Sequence, residues 1–261
     1  MPVNFDTIEG FFLVFTRLSV LVFMLPFFNT RVFPALVKAG FSLLLAIILL
    51  PVISMTDAGF PDSITAFAGL VTVEMIVGLV LGLMVLAVFE GVRIMGQVVG
   101  FETGFAVANV FDPQSGAQIS LLANFSFFLS MVLFLLFNGH HILIHAMKES
   151  FDILPIGSVA MDPKLVPEML SRTSDMFVIA LKIGAPAIAA LFLTKVAFGL
   201  VTKLIPQMNI MIVAFPVQIV VGLFFFSICL MVLLRFMETY VAQLGTFLVG
   251  ILDLMSPITG P

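Results

Sequence analysis

The chain has 261 residues, of which 61% are apolar and 10% charged, and its formal net charge is −4. A soluble domain carries about 25% charged residues, so this composition excludes an ordinary soluble enzyme, and thirty Phe residues exclude a disordered chain. A single Cys and the lack of a basic cluster argue against a disulfide framework, a cysteine-rich metal site and a nucleic-acid partner. We therefore predict an all-α, membrane-associated protein.

Apolar segments make up about half of the sequence. A membrane-spanning helix needs about 20 apolar residues, so four or five of the segments qualify, and the second is short because Pro51 falls inside it. The ten residues before the first segment carry Asp6 and Glu9 but no Lys or Arg, so we expect this segment to remain in the mature protein. The six predicted segments are 11–28, 39–54, 64–89, 119–137, 176–201 and 210–234.

Four charged residues lie inside these apolar segments: Arg17, Glu74, Lys182 and Lys195. A charge at the centre of a membrane helix costs about 2.5–3.5 kcal/mol on insertion scales. One interpretation is a stand-alone transporter or channel, in which these residues line a polar pathway. The other is that the helices pack on partner proteins rather than on lipid. Two roles are open for Glu74. It is either a proton-coupling residue or a buried, hydrogen-bonded group at a subunit contact.

Prolines interrupt the last two segments at Pro186 and Pro216. Each removes a backbone donor and is expected to kink its helix. Bent helices at membrane depth are typical of proteins that build a cavity or pore, although membrane helices also tolerate proline without such a role.

Small residues recur at every fourth position near the middle of the chain, at Gly96, Gly100, Gly104 and Ala108. Small residues at this spacing lie on one helical stripe and allow another backbone to approach closely. The partner helix belongs either to this chain or to a second subunit.

An unusually apolar loop is predicted at 104–118. Asp112, Pro113 and Gly116 are turn signals that end the preceding helix. Irregular backbone at membrane depth survives only where it is buried in protein or lines a cavity, and a ring of apolar side chains blocks ions by dewetting. The loop is therefore a candidate pore seal, with a re-entrant packing loop as the alternative. Its apolar side chains include Phe105, Val107, Val110 and Phe111.

Motifs for catalysis are missing from the sequence. His141 and His145 have helical i, i+4 spacing, but the glutamate that a zinc protease needs after its first histidine is replaced by Ile142. Glu90 and Arg93 are predicted to form a local ion pair. We expect no enzymatic activity, no cofactor and no metal.

Several motifs agree in order and spacing with those of one known family. They are Leu25-Pro26, Pro34 and Lys38, the run Gly96–Gly104 followed by Asp112-Pro113, Phe137-Asn138-Gly139-His140, Leu154-Pro155-Ile156-Gly157-Ser158, Pro206–Ile210, Phe215-Pro216 and Gly222. Through these motifs the chain resembles the FliR family over nearly its whole length. Members of this family are the flagellar counterparts of the export-gate T subunit of virulence type III secretion systems.

The resemblance implies kinked helical hairpins that assemble with FliP and FliQ into a helical pseudo-ring export gate, with FliR present as a single copy. Unfolded flagellar subunits would pass through this gate, which lies in the bacterial inner membrane within the flagellar basal body. FlhA and FlhB are the further partners implied, and no FlhB-like extension is expected on this chain. The family's plug loop falls on 104–118, where Phe105, Val110 and Phe111 become the sealing candidates and Asp112 and Pro113 match best. A stand-alone transporter, with Glu74, Lys182 and Lys195 as pathway residues, is the competing class.

Overall fold

The computed structural model describes residues 5–28, 33–53, 63–104, 121–159, 162–207 and 209–256. Within these ranges every regular element is helical, which confirms the prediction of an all-α fold. The helices are α1 (Phe5–Met24), α2 (Ala35–Leu49) with a 3₁₀ turn at Leu50–Val52, α3 (Ile64–Glu102), α4 (Leu121–Leu136), α5 (Gly139–Ile153), α6 (Leu165–Leu204) and α7 (Ile210–Asp253).

Three helices extend beyond the apolar segments predicted within them. The segment 64–89 continues to Glu102, the segment 176–201 begins at Leu165, and the segment 210–234 continues to Asp253. Hydropathy marks only the uninterrupted apolar run, whereas the backbone continues as a helix through stretches in which charged residues such as Glu90, Arg93 and Arg235 stand among apolar ones. The result is three helices of 39, 40 and 44 residues.

The prolines act differently from one another. Pro51 lies in the 3₁₀ turn that follows α2, so the predicted shortening of this helix is confirmed. Pro186 and Pro216 lie inside α6 and α7, and both helices continue past them without interruption.

Four helices of the described ranges are long and apolar enough to cross a membrane: α2 with its 3₁₀ turn, α3, α6 and α7. A fifth span is obtained if α4 and α5, which are separated by a short break, form one. The second predicted segment qualifies although it looked short, because its helix begins at Ala35 and the apolar stretch reaches 18 residues.

The chain forms two compact units. The first consists of Met1–Ala87, Asn138–Thr173 and Val241–Pro261, and the second of Val88–Phe137 and Ser174–Tyr240. In the first unit α1 packs closely on α3: a Cβ built on Gly78 would lie 2.5 Å from the carbonyl oxygen of Arg17, and one built on Gly82 would lie 2.5 Å from the Cβ of Met24. Glycine at both positions is therefore what permits this approach.

Candidate functional site

The charges of two apolar helices meet in the core of the first unit. Arg17 of α1 and Glu74 of α3 have side chains that are 1% and 0% exposed, respectively. The Arg17 Nε donates a hydrogen bond to Glu74 Oε2 over 2.5 Å. An arginine provides five N–H donors in a planar fork, so the rest of its guanidinium needs acceptors elsewhere.

Those acceptors are main-chain carbonyls at the end of α5. Arg17 Nη1 donates to the carbonyl oxygen of Ser150 over 2.8 Å, and Nη2 donates to that of Leu154 over 3.1 Å. The guanidinium also lies 4.1 Å from the centre of the Phe151 ring. The Ser150 carbonyl also accepts the Leu154 N–H over 3.1 Å, and the carbonyls at this end of the helix carry the negative end of its dipole. Arg17 therefore caps α5 from a helix far away in sequence.

The second oxygen of Glu74 binds the turn that follows α5. The Gly157 N–H donates to Glu74 Oε1 over 3.3 Å. Gly157 has a φ of +80°, and a Cβ built there would lie 2.9 Å from Leu70 Cδ2. A left-handed conformation beside a neighbouring side chain is a position for glycine, which explains the glycine of the Leu154–Ser158 motif. We call Arg17, Glu74, Ser150, Leu154 and Gly157 the buried charge cluster.

Sequence reasoning singled out Arg17 and Glu74 without pairing them. Glu74 is a buried, hydrogen-bonded group, as one interpretation held, but the partner is Arg17 of the same chain rather than another subunit. The sequence did contain a signal for this ion pair, because one positive and one negative residue each lie within a long apolar segment. Of the other proposed pathway residues, Lys182 is exposed and Lys195 binds Glu102.

A second site of interest is the end of α3, from which the predicted loop 104–118 begins. The Thr103 N–H donates to the Val99 carbonyl over 3.0 Å and the Gly104 N–H to the Phe101 carbonyl over 3.1 Å. Gly104 has a φ of +86°. The prediction that Gly104 continues the helical stripe is therefore wrong, because it adopts the left-handed conformation in which glycine commonly ends a helix.

Side chains of α6 and α7 hold this end of α3 within the second unit. Lys195 Nζ of α6 lies 2.6 Å from Glu102 Oε2, and both side chains are partly exposed, at 42% and 34%. Thr103 is fully buried, and a Cβ built on Gly222 of α7 would overlap its Cγ2 atom. A Cβ on Gly104 would lie 3.2 Å from Phe215 Cδ1.

Another helix lies close to Gly96, the first position of the predicted glycine stripe. A Cβ built on Gly96 would lie 2.6 Å from the carbonyl oxygen of Leu122 and 2.7 Å from the Cα of Ala123, both on α4. The helix that approaches Gly96 is therefore one of this chain. Gly100 is also buried on α3, and Ala108 lies outside the described residues.

Most of the predicted seal lies outside the described residues. This holds for all of the loop 104–118 after Gly104, so the sealing role stays a prediction. The named residues concerned are Phe105, Val107, Val110, Phe111, Asp112 and Pro113.

Local predictions on the other polar residues have mixed outcomes. The ion pair between Glu90 and Arg93 is confirmed, with 2.9 Å between Oε1 and Nη1. The Arg93 guanidinium also lies 3.8 Å from the centre of the Phe127 ring, a contact that no sequence pattern predicted. His140 and His141 have ring centres 4.2 Å apart, and the described ranges contain no group of three side chains suited to a metal.

A match to one protein family covers most of the chain. Residues 8–244 match the family described as bacterial export proteins, family 1, and the chain belongs to this family. It is 32% identical to the flagellar biosynthetic protein FliR of Bacillus subtilis over 87% of the chain and 88% of that protein. The FliR proteins of Pectobacterium carotovorum and Escherichia coli are 28% and 27% identical, over 95% and 91% of the chain and 95% and 90% of their own lengths.

Proposed function

We propose that this protein is a component of the flagellar type III export gate, which forms with FliP and FliQ the channel for unfolded flagellar subunits. The observation that carries the proposal is the match along nearly the whole chain to FliR proteins of three bacteria, each named for flagellar biosynthesis. Export of subunits across the inner membrane requires a multi-pass protein, and four or five helices of the described ranges are suited to spanning.

The proposed mechanism is a gated, non-enzymatic conduit. A single copy of the chain joins FliP and FliQ, and FlhA and FlhB act at the same apparatus. The loop 104–118 closes the channel at rest, and its apolar residues exclude ions because a narrow apolar constriction loses its water. The glycine that ends α3 and the contacts of Glu102 with α6 and of Thr103 with α7 support this assignment, since they give the loop a fixed starting point.

Exposed apolar side chains favour a chain that is covered by partners or lipid. On α2, Leu36 is 85% exposed and Ile48 is 55% exposed, and on α7, Phe224 is 62% exposed and Met231 is 69% exposed. Contiguous apolar faces of this kind mark protein or membrane contacts. The pairing of Glu74 with Arg17 also removes one of the charges on which the stand-alone transporter interpretation depended.

The assembly is tested by the native mass of the detergent-solubilised protein after co-expression with its own FliP and FliQ. We expect one copy of this chain in a larger mixed complex. A monomer or homodimer that binds neither FliP nor FliQ would contradict the proposed role in the export gate and favour a stand-alone transporter.

The seal is tested by replacing Phe105 and Phe111 with Gly and measuring ion conductance of membranes that contain the complex. We expect a raised leak with assembly retained. The matched control is Phe101→Gly, at an exposed position on α3 just before the loop. An unchanged leak in the loop variant, or an equal leak in the control, would refute the seal while leaving the export role standing.

A further inference from the structure

We propose that Arg17 and Glu74 form a directional anchor, which requires the guanidinium at position 17 and the carboxylate at position 74 and fails when the two are exchanged. Its role is to fix the end of α5 and the turn Leu154–Ser158 against α1 and α3. Arg17 and Glu74 are thus positioning residues for a segment distant from both in sequence. The inference rests on the geometry of the buried charge cluster and does not depend on the export role.

The direction of the anchor follows from the main-chain groups that face each residue. Arg17 faces two carbonyl oxygens, those of Ser150 and Leu154, and both are acceptors. Glu74 faces the N–H of Gly157, which is a donor. A carboxylate at position 17 would point at two carbonyl oxygens. The Ser150 carbonyl would keep only the Leu154 N–H, which it accepts over 3.1 Å, and the Leu154 carbonyl would lose the hydrogen bond from Arg17. Burial makes such unmatched groups costly.

An ordinary buried ion pair behaves differently. Its energy depends on the attraction of the two charges, so exchange of the two residues preserves much of it. Removal of one partner from a buried pair leaves an uncompensated charge and changes the unfolding equilibrium by roughly 100- to 5,000-fold. The exchange variant Arg17→Glu/Glu74→Arg therefore distinguishes a directional anchor from an ordinary buried ion pair. An ordinary pair would re-form in this variant, whereas the contacts of a directional anchor with the main chain would remain lost.

Two buried serines provide a local readout and its matched control. Ser150 lies in the cluster, is 1% exposed, and donates to the carbonyl three residues earlier over 2.7 Å. Its hydroxyl oxygen also accepts from Arg17 Nη1 over 3.3 Å, a bond for which a cysteine sulfur is a weak acceptor. Ser130 on α4 lies in the second unit, is 0% exposed, and makes the same kind of bond over 2.7 Å. Serine to cysteine is nearly isosteric. Cys229, the chain's one cysteine, is buried and can be replaced by Ala to give a cysteine-free background.

The experiment measures the labelling rate of Ser150→Cys and of Ser130→Cys with N-ethylmaleimide, in membranes that contain the full chain. Each is combined with Arg17→Met, with Glu74→Gln and with the exchange variant. We expect Ser150→Cys to label at least about tenfold faster in all three, because local opening exposes the end of α5. Ser130→Cys should keep its rate within about twofold, because the second unit stays folded.

Each contrary outcome overturns the proposal. If Ser150→Cys stays protected from N-ethylmaleimide in the exchange variant, the two residues form an ordinary ion pair whose orientation does not matter. If it stays protected in both Arg17→Met and Glu74→Gln, no anchor exists. If the single variants expose both cysteines because the chain fails to fold, Arg17→Lys decides the matter. Lysine keeps the charge but lacks the planar fork, so we expect only Ser150→Cys to become reactive, and equal exposure of both cysteines there refutes a local anchor.

Discussion

The contact between Thr103 and Gly222 offers a quantitative test of how the end of α3 is held. A methyl group on Gly222 has no room, because it would overlap the Cγ2 of the fully buried Thr103. Gly222→Ala gains about 0.5–1 kcal/mol because alanine is the better helix former. Overpacking of a filled site costs about 1–3 kcal/mol. We therefore expect net destabilisation by Gly222→Ala.

The compensating change is Thr103→Ser, which removes the methyl group that stands in the way and keeps the hydroxyl that donates to the Gly100 carbonyl over 2.9 Å. Alone it costs about 1 kcal/mol for the lost methyl contact. In the double variant one methyl group has moved from position 103 to position 222, and such volume-conserving changes cost less than about 1.5 kcal/mol. The two substitutions should therefore couple favourably, by about 1–3 kcal/mol.

The free energy of unfolding can be followed by the loss of helical circular dichroism as sodium dodecyl sulfate is titrated into mixed micelles. Gly250→Ala is the matched control, because Gly250 is also on α7 and a Cβ there has no atom within 4 Å. It should be neutral or slightly stabilising. Additive effects of Gly222→Ala and Thr103→Ser, or a control as damaging as Gly222→Ala, would refute the steric argument.

Three further substitutions test other contacts by the same unfolding measurement. Gly96→Ala should be less stable than Gly69→Ala by about 1–3 kcal/mol, because both gain helix propensity but only Gly96 lies against another backbone; equal stabilities would contradict the close approach. Gly157→Ala should lower the free energy of unfolding by about 1–2 kcal/mol because position 157 has a left-handed backbone. Gly157→Asn should lower it less, because asparagine adopts this conformation more readily. A larger loss for asparagine than for alanine would mean that the backbone conformation is unimportant there. Lys195→Met should change stability by less than about 1 kcal/mol, since its ion pair is partly exposed; a larger loss would mean that the pair is shielded from water.

Composition was sufficient to predict the all-α membrane class, because 61% apolar residues leave few alternatives for the chain. Pro51 indicated the shortening of α2 correctly, because this helix ends at Leu49 and the proline lies in the turn that follows. The same signal did not end α6 at Pro186 or α7 at Pro216. The start of α6 and the end of α7 were missed because charged residues interrupt the apolar run there while the backbone stays helical. Hydropathy measures affinity for lipid, and continuity of a helix depends on other forces.

Glycines show the limit of pattern reasoning. The spacing of Gly96, Gly100 and Gly104 predicted one stripe, but the backbone turns left-handed at the third glycine. Spacing alone does not distinguish a glycine that packs from one that ends a helix. Gly78 and Gly82 carry the same spacing and were passed over, although they bring α1 and α3 together. The pairing of Arg17 with the end of α5 lay beyond sequence reasoning, because its acceptors are main-chain atoms.

The separation of Arg17 from its acceptors has a consequence for biosynthesis. Glu74 follows Arg17 after 57 residues, and Leu154 follows after 137. At a ribosomal rate of about 5–20 residues per second, Glu74 is synthesised roughly 3–11 s after Arg17, and Leu154, whose carbonyl Arg17 also binds, roughly 7–27 s after it. During that interval α1 holds an unneutralised guanidinium. The helix α1 is thus synthesised before α3 and α5 but reaches its final environment only after both, and quality-control proteases have a window of seconds in which to act on the nascent chain.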